Sequence, residues 1–145
     1  MENSVTMGPN RQPITVLDVL AWICIRDRRL LCVRSQGNDV FYLPGGKREP
    51  GESDWEGISR EVKEELSIAL IPGTLIEALT IEEEAHGFSA PTRVIMKCFR
   101  ADYHGQIVPA SEIEEIAWLS FADRRKCAPA TQRVLEAMAA QNAID

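Results

Sequence analysis

Two apolar runs open the ordered part of the chain. Ile14 to Ile25 is rich in Val, Ile, Leu and Trp, and after the polar Arg26-Asp27-Arg28-Arg29 the chain returns as Leu30-Leu31-Cys32-Val33. This pattern predicts a β-hairpin whose first arm is long enough to be buried on both faces. A loop over 35–39 holds Gly37 and Asn38, and Phe41-Tyr42-Leu43 reads as a short strand delivering a Pro44-Gly45-Gly46 turn. The period then changes. Trp55, Ile58, Val62 and Leu66 fall on one stripe at about 100° per residue. Pro50-Gly51 breaks what precedes, Ser53 suits an N-cap and Glu56 completes a capping box, so a helix is expected from about Asp54 to about Leu66.

Downstream, Pro72-Gly73 is a turn, Leu75 to Ile81 reads as a strand, and Glu82-Glu83-Glu84-Ala85-His86-Gly87-Phe88 reads as a polar loop. The run from Arg93 to Tyr103 is too continuously apolar for strict alternation, which predicts a central strand. After a turn at 104–106, Glu112 to Leu119 is an acidic stretch that ends in Trp118 and Leu119. Pro129 to Ala140 gives an Ala-rich helix with Val134, Leu135 and Met138 on its buried side, Pro129 suiting its first turn. The order of strands and helices predicts an α/β sandwich with a mixed sheet between two helices. Residues 1–12 are expected to form a flexible tail and residues 13–145 a single domain.

Composition narrows the function. The 145 residues are 45% hydrophobic and 26% charged, which is the balance of a globular protein. A net charge of −6 argues against nucleic acid as a partner, because such surfaces need a basic stripe. No apolar run approaches the length of a membrane span, and no signal-peptide pattern is present. Cys24, Cys32, Cys98 and Cys127 show neither C-x-x-C nor zinc spacing. Three of them lie in apolar strand-like runs, so reduced thiols and a cytoplasmic location are expected.

The chemistry concentrates on the first helix. Glu61, Glu64 and Glu65 stand at i, i+3 and i+4 and share one face, where like charges repel. A solvated acidic face, with Arg60 and Lys63 as counter-charges, is one reading. A hard divalent cation is the other, since Mg²⁺ or Mn²⁺ takes a few carboxylates together with substrate phosphates. The glycines upstream and Glu52 at fixed spacing favour the second.

Gly46, five residues, Glu52, seven residues and then Arg60-Glu61-Val62-Lys63-Glu64-Glu65-Leu66-Ser67-Ile68 resembles the Nudix box, G-x5-E-x7-R-E-U-x-E-E-x-G-U with U aliphatic. Every position agrees except Ser67, which stands where the family has its second glycine. A serine at a helix C-cap costs on the order of 1 kcal/mol or alters the exit of the chain, and it removes no metal ligand.

The resemblance implies the Nudix fold and metal-dependent hydrolysis of a nucleoside diphosphate linked to another moiety. It implies that Glu61, Glu64, Glu65 and the Gly46 carbonyl hold Mg²⁺ or Mn²⁺, that Arg60 orients Glu61, and that Glu52 supports the helix–loop junction or binds Arg60. Glu61 is one candidate general base; Glu112, Glu114 and Glu115 on the late strand are the others. Arg34, an ordinary surface arginine on the bland reading, is a candidate phosphate or base contact. Phe88 or His86 could stack on a base, and Thr131 or Gln132 at the start of the last helix could select it. Marks of the ADP-ribose, dinucleoside polyphosphate and NADH subfamilies are missing, and that of the coenzyme A type is incomplete. By elimination the expected substrate is a (deoxy)nucleoside triphosphate, giving monophosphate and pyrophosphate. Three alternatives are carried: a catalytically weak nucleotide-binding or regulatory module, an isopentenyl-type diphosphate isomerase, and a structural interaction domain. The number of metal ions and the oligomeric state, a homodimer among the options, stay open.

Overall fold

The computed structural model describes residues 4–7, 13–85 and 88–145. Its centre is β2 (Pro13–Trp22), which pairs in parallel with β8 (Thr92–Arg100) along one edge. β8 pairs antiparallel with β7 (Ile76–Glu84) on its other side, so β8 is a central strand, as expected. The opposite edge of β2 is shared by β1 (Ser4–Met7) and β5 (Gly45–Lys47), both antiparallel. A second sheet orders β10 (Ile113–Leu119), β4 (Arg29–Ser35) and β3 (Ile25–Arg26). β6 (Ala69–Leu70) and β9 (Tyr103–His104) make a small third ladder.

The sheets lie between two helices. α1 (Asp54–Leu66) buries Ile58, Val62 and Leu66 against Leu20, Trp22, Leu31 and Val33. α2 (Pro129–Ala140) buries Val134, Leu135 and Met138 against Leu17, Ala21, Leu30, Cys32, Val94 and Met96. Alternate residues of one strand therefore feed two separate cores, the consequence of a period of two in a sheet covered on both faces. This is the expected α/β/α sandwich.

Four local expectations need correction. The first apolar run is not one hairpin arm: β2 ends at Trp22, and a separate short strand, Ile25–Arg26, pairs with β4 across Asp27 and Arg28 at φ 51° and 61°. Two consecutive residues with positive φ match the twist of a two-residue hairpin. Hydrophobicity reports burial but not the sheet a residue joins. Gly45-Gly46 is extended rather than a turn, because it completes the ladder along the free half of β2. Glu82–Glu84 continue β7, opposite Ile95, Val94 and Arg93, with Arg133 of α2 3.8 Å from Glu83. Ser4–Met7, expected to be loose, lies along the N-terminal half of β2.

α1 begins and ends as its residues dictate. Ser53 Oγ accepts the Glu56 N–H at 3.1 Å and Glu56 accepts the Ser53 N–H at 3.0 Å. At the other end Ser67 takes a left-handed conformation, φ 63°, and its N–H donates to the Lys63 carbonyl. That conformation is unfavourable for a side chain bearing Cβ, and the Ser67 hydroxyl offsets part of the cost by donating to the Val108 carbonyl at 3.3 Å. Ser67→Gly should therefore raise stability by about 0.5–1 kcal/mol. A lower denaturant midpoint for the variant would refute this account of the cap.

Candidate active site

The carboxylate face of α1 packs against β5. Gly45 has φ 145°, and a Cβ there would lie 2.0 Å from the Leu20 carbonyl oxygen. A Cβ on Gly46 would meet the Glu61 carboxylate at 2.6–2.7 Å. A side chain at position 45 would thus collide with the backbone of β2, whereas one at position 46 would displace the Glu61 carboxylate. The Gly45 N–H donates to Glu65 Oε1 at 2.9 Å.

Glu65 is only 6% exposed. Burial pushes its carboxyl up to about 8, opposed by the Gly45 hydrogen bond and reinforced by the charges of Glu61, Glu112 and Glu64. Burial also raises Glu61; Arg60 opposes that shift, and Glu64 and Glu112 add to it.

Arg60 organises the outer side of the cluster. Its Nε and Nη2 donate to the two oxygens of Glu52 at 2.7 and 2.9 Å, and its Nη1 donates to Glu61 Oε1 at 2.9 Å. Glu64 lies 3.5 Å away and is half exposed. The guanidinium hydrogen bonds, together with the Glu49 N–H at 2.7 Å, hold the Glu52 carboxyl down at about 2. A two-pronged Arg–carboxylate pair fixes orientation as well as charge.

Beyond Gly45 and Gly46 opens a cavity of about 320 Å³. Glu65 and Glu112 line it with the two glycines, Leu17, Val19, Val94 and Met96 make apolar wall, and Tyr42, Phe88 and Thr131 lie around it. The site therefore joins an acidic end to an apolar pocket.

Among the described residues no three Asp, Glu, His or Cys side chains form a ready-made metal cage. The donors nonetheless suit a hard divalent cation. Glu65 is a buried carboxylate that accepts the Gly45 N–H and adjoins further carboxylates, and Mg²⁺ needs only one or two such groups beside water and phosphate oxygens.

The remaining expected residues separate. Phe88, half exposed, and Thr131, buried, line the cavity. Arg34 is not among the lining residues: it donates to Glu115 at 3.1 Å and Glu114 at 3.2 Å, which occupies those two glutamates as well. Of the three late glutamates, only Glu112 lines the cavity. Gln132 donates to the Cys127 carbonyl at 2.8 Å. His86 lies outside the described residues. Sequence reading overlooked the Gly45 N–H and the wall residues Ser35, Asn38, Tyr42 and Glu84. Gly45 could have been found, because two adjacent glycines permit close backbone approach; the wall residues carry no local signal.

The NUDIX domain family matches residues 15–139. The chain belongs to the Nudix hydrolase family. This is a family of pyrophosphohydrolases, typically dependent on divalent metal and acting on small nucleotide-type substrates. No protein of curated function matches the chain. Among solved structures, the solution structure of the E. coli ORF135 protein has 28% identity and TM-score 0.67, over 88% of this chain and 91% of that one. A MutT protein from Methanosarcina mazei Go1 has 22% identity and TM-score 0.67, over 88% and 95%. A UDP-X diphosphatase has 21% identity and TM-score 0.62, over 94% and 68%. The last two share the Nudix fold with this chain, and their differing names show that the fold does not select a substrate. Among the described residues no helix is long and apolar enough to cross a membrane.

Burial of Glu65 yields a prediction for the metal-free protein. Glu65→Gln keeps an oxygen acceptor for the Gly45 N–H and removes the cost of protonating on folding a carboxyl that is ionised in the unfolded chain, so the variant should be more stable near neutral pH by roughly 1–3 kcal/mol. Mg²⁺ should raise the wild-type melting temperature more than that of the variant. A variant that is less stable without metal, or equally responsive to it, would show that Glu65 neither carries strain nor serves the cation.

Proposed function

We propose that this Nudix hydrolase cleaves a nucleoside triphosphate to the monophosphate and pyrophosphate with Mg²⁺, Mn²⁺ serving in its place. The observation that carries the reading is the cavity, whose carboxylate end adjoins an apolar pocket bordered by Phe88 and Tyr42. A base placed in that pocket directs the phosphates toward Glu65, Gly45 and Gly46. Support also comes from the missing sequence marks of the ADP-ribose, dinucleoside polyphosphate and NADH subfamilies.

Glu61, Glu64, Glu65 and the Gly46 carbonyl are the proposed metal ligands. A bound Mg²⁺ neutralises phosphate charge and acidifies water. Arg60 holds Glu61 in one orientation and is itself held by Glu52. Glu61 and Glu112 are the two candidates to accept the proton of the attacking water; Glu114 and Glu115 are bonded to Arg34 instead. The apolar wall excludes water from the substrate beyond the reacting phosphates. Phe88 offers a face on which a base can stack, and Thr131 at the start of α2 is the proposed selectivity position. Four free buried cysteines suit a reducing, cytoplasmic setting.

Hydrolysis of a panel of nucleoside triphosphates, oxidised nucleotides, ADP-ribose, nucleotide sugars and dinucleotides, with Mg²⁺, Mn²⁺ or EDTA, tests the reading. Metal-dependent release of pyrophosphate from a triphosphate is expected. Turnover of another class would replace the substrate, and silence with metal bound would favour a binding module. Glu64→Gln should unfold as the wild type does, since its side chain is half exposed, yet lose roughly 10–100-fold or more in metal-dependent rate. Normal turnover by this variant would overturn the ligand assignment.

A further inference from the structure

Glu112 reaches the cavity from the turn that leads into β10, and this entry is held on two sides. On one side, the segment before it caps α1: the Val108 N–H donates to the Leu66 carbonyl at 3.0 Å, the Ala110 N–H to the Glu65 carbonyl at 2.9 Å, and Ser111 Oγ to the Glu64 carbonyl at 3.3 Å. These bonds satisfy carbonyls that a helix end would otherwise leave without partners. On the other side, the Gln36 N–H donates to the Glu112 carbonyl at 2.8 Å, and β10 then pairs with β4 through a bulge. Ile113 stands opposite Ser35 and Glu115 opposite Arg34, so Glu114 is the additional residue.

The bulge has an electrostatic signature. Successive side chains of a regular strand point to opposite faces. Here Glu114 and Glu115 both bond to Arg34, through Nη1 at 3.2 Å and Nε at 3.1 Å. Nη1 also donates at 3.1 Å to the carbonyl of Asn38, whose side belongs to the cavity wall. Ion pairs this exposed add little to stability one by one. Their geometric effect is larger. A strand that slips by one residue exchanges its faces, which would turn Glu112 from the cavity and lift Ile113 out of the core beneath α1.

We propose that Arg34 is a positioning residue: by gripping Glu114 and Glu115 at the bulge and the Asn38 carbonyl across from it, Arg34 sets the register that aims Glu112 into the cavity. This rests on the hydrolase reading for its catalytic consequence, but not for its structural one. It also replaces the expected direct contact between Arg34 and substrate.

The test compares Arg34→Gln, the double variant Glu114→Gln/Glu115→Gln and the triple combination. Amide hydrogen exchange in the protein without metal or substrate reports the clamp. Loss of either partner should speed exchange of the Gln36 N–H by about tenfold. In the wild-type reaction, both variants should lose roughly 10–100-fold in kcat, with KM held within about twofold. The triple variant should be no worse than either parent, because all three remove one unit. Unchanged Gln36 exchange in the double variant would overturn the proposal. So would a raised KM in Arg34→Gln with an unaffected double variant, which is the pattern of a substrate contact. Glu114 and Glu115 are half exposed, so the double variant decides the matter should Arg34→Gln fail to fold. If the wild type hydrolyses no triphosphate, the substrate reading fails, while the exchange measurement still tests the clamp.

Discussion

Carboxylates crowded against a glycine strand are the constraint on which the rest of this structure depends. Glu65 is buried and accepts the Gly45 N–H, Glu61 lies against the α-carbon of Gly46, and Glu112 approaches from the second sheet. Arg60 compensates part of this charge but spends two of its hydrogen bonds on Glu52. The arrangement is electrostatically costly without a cation, as the raised carboxyls of Glu65 and Glu61 record. It persists because the fold determines it from several directions at once. α1 is pinned by its apolar stripe, β5 by its ladder to β2, and β10 by its bulge.

The same elements that gather the charge also shape the pocket. β2 supplies Leu17, Val19 and Ala21 to the cavity while its alternate residues Leu20 and Trp22 support α1. One strand thus ties the apolar wall to the helix that carries the carboxylates. Displacing β2 would disturb both, whereas Phe88 stands half exposed at the rim. The site thus joins a packed carboxylate end to an open rim.

Much of the fold was legible because local signals agreed with tertiary context. The capping box, the apolar stripe and the break at Pro50-Gly51 define α1 within the helix itself, and Pro129 with Val134, Leu135 and Met138 does so for α2. The departures share a cause. Ile14 to Ile25 is rich in apolar residues to its end, yet the chain changes sheet after Trp22, and Glu82–Glu84 looks like a loop until β8 offers it a ladder. Pairing partners lie far away in sequence, so no short window contains them.

By itself the sequence determined the family, the sandwich class, both helices and the set of charged residues gathered around the box, since each depends on spacing along the chain. Only the tertiary structure decided which of Glu112, Glu114 and Glu115 faces the cavity, that Arg34 is bound by two glutamates, and that Gly45 donates to Glu65. Those outcomes depend on strand register, and a change of one residue reverses the face that every side chain presents. Register is set by contacts between distant segments, which is why composition and spacing name the chemistry but leave its aim to the fold.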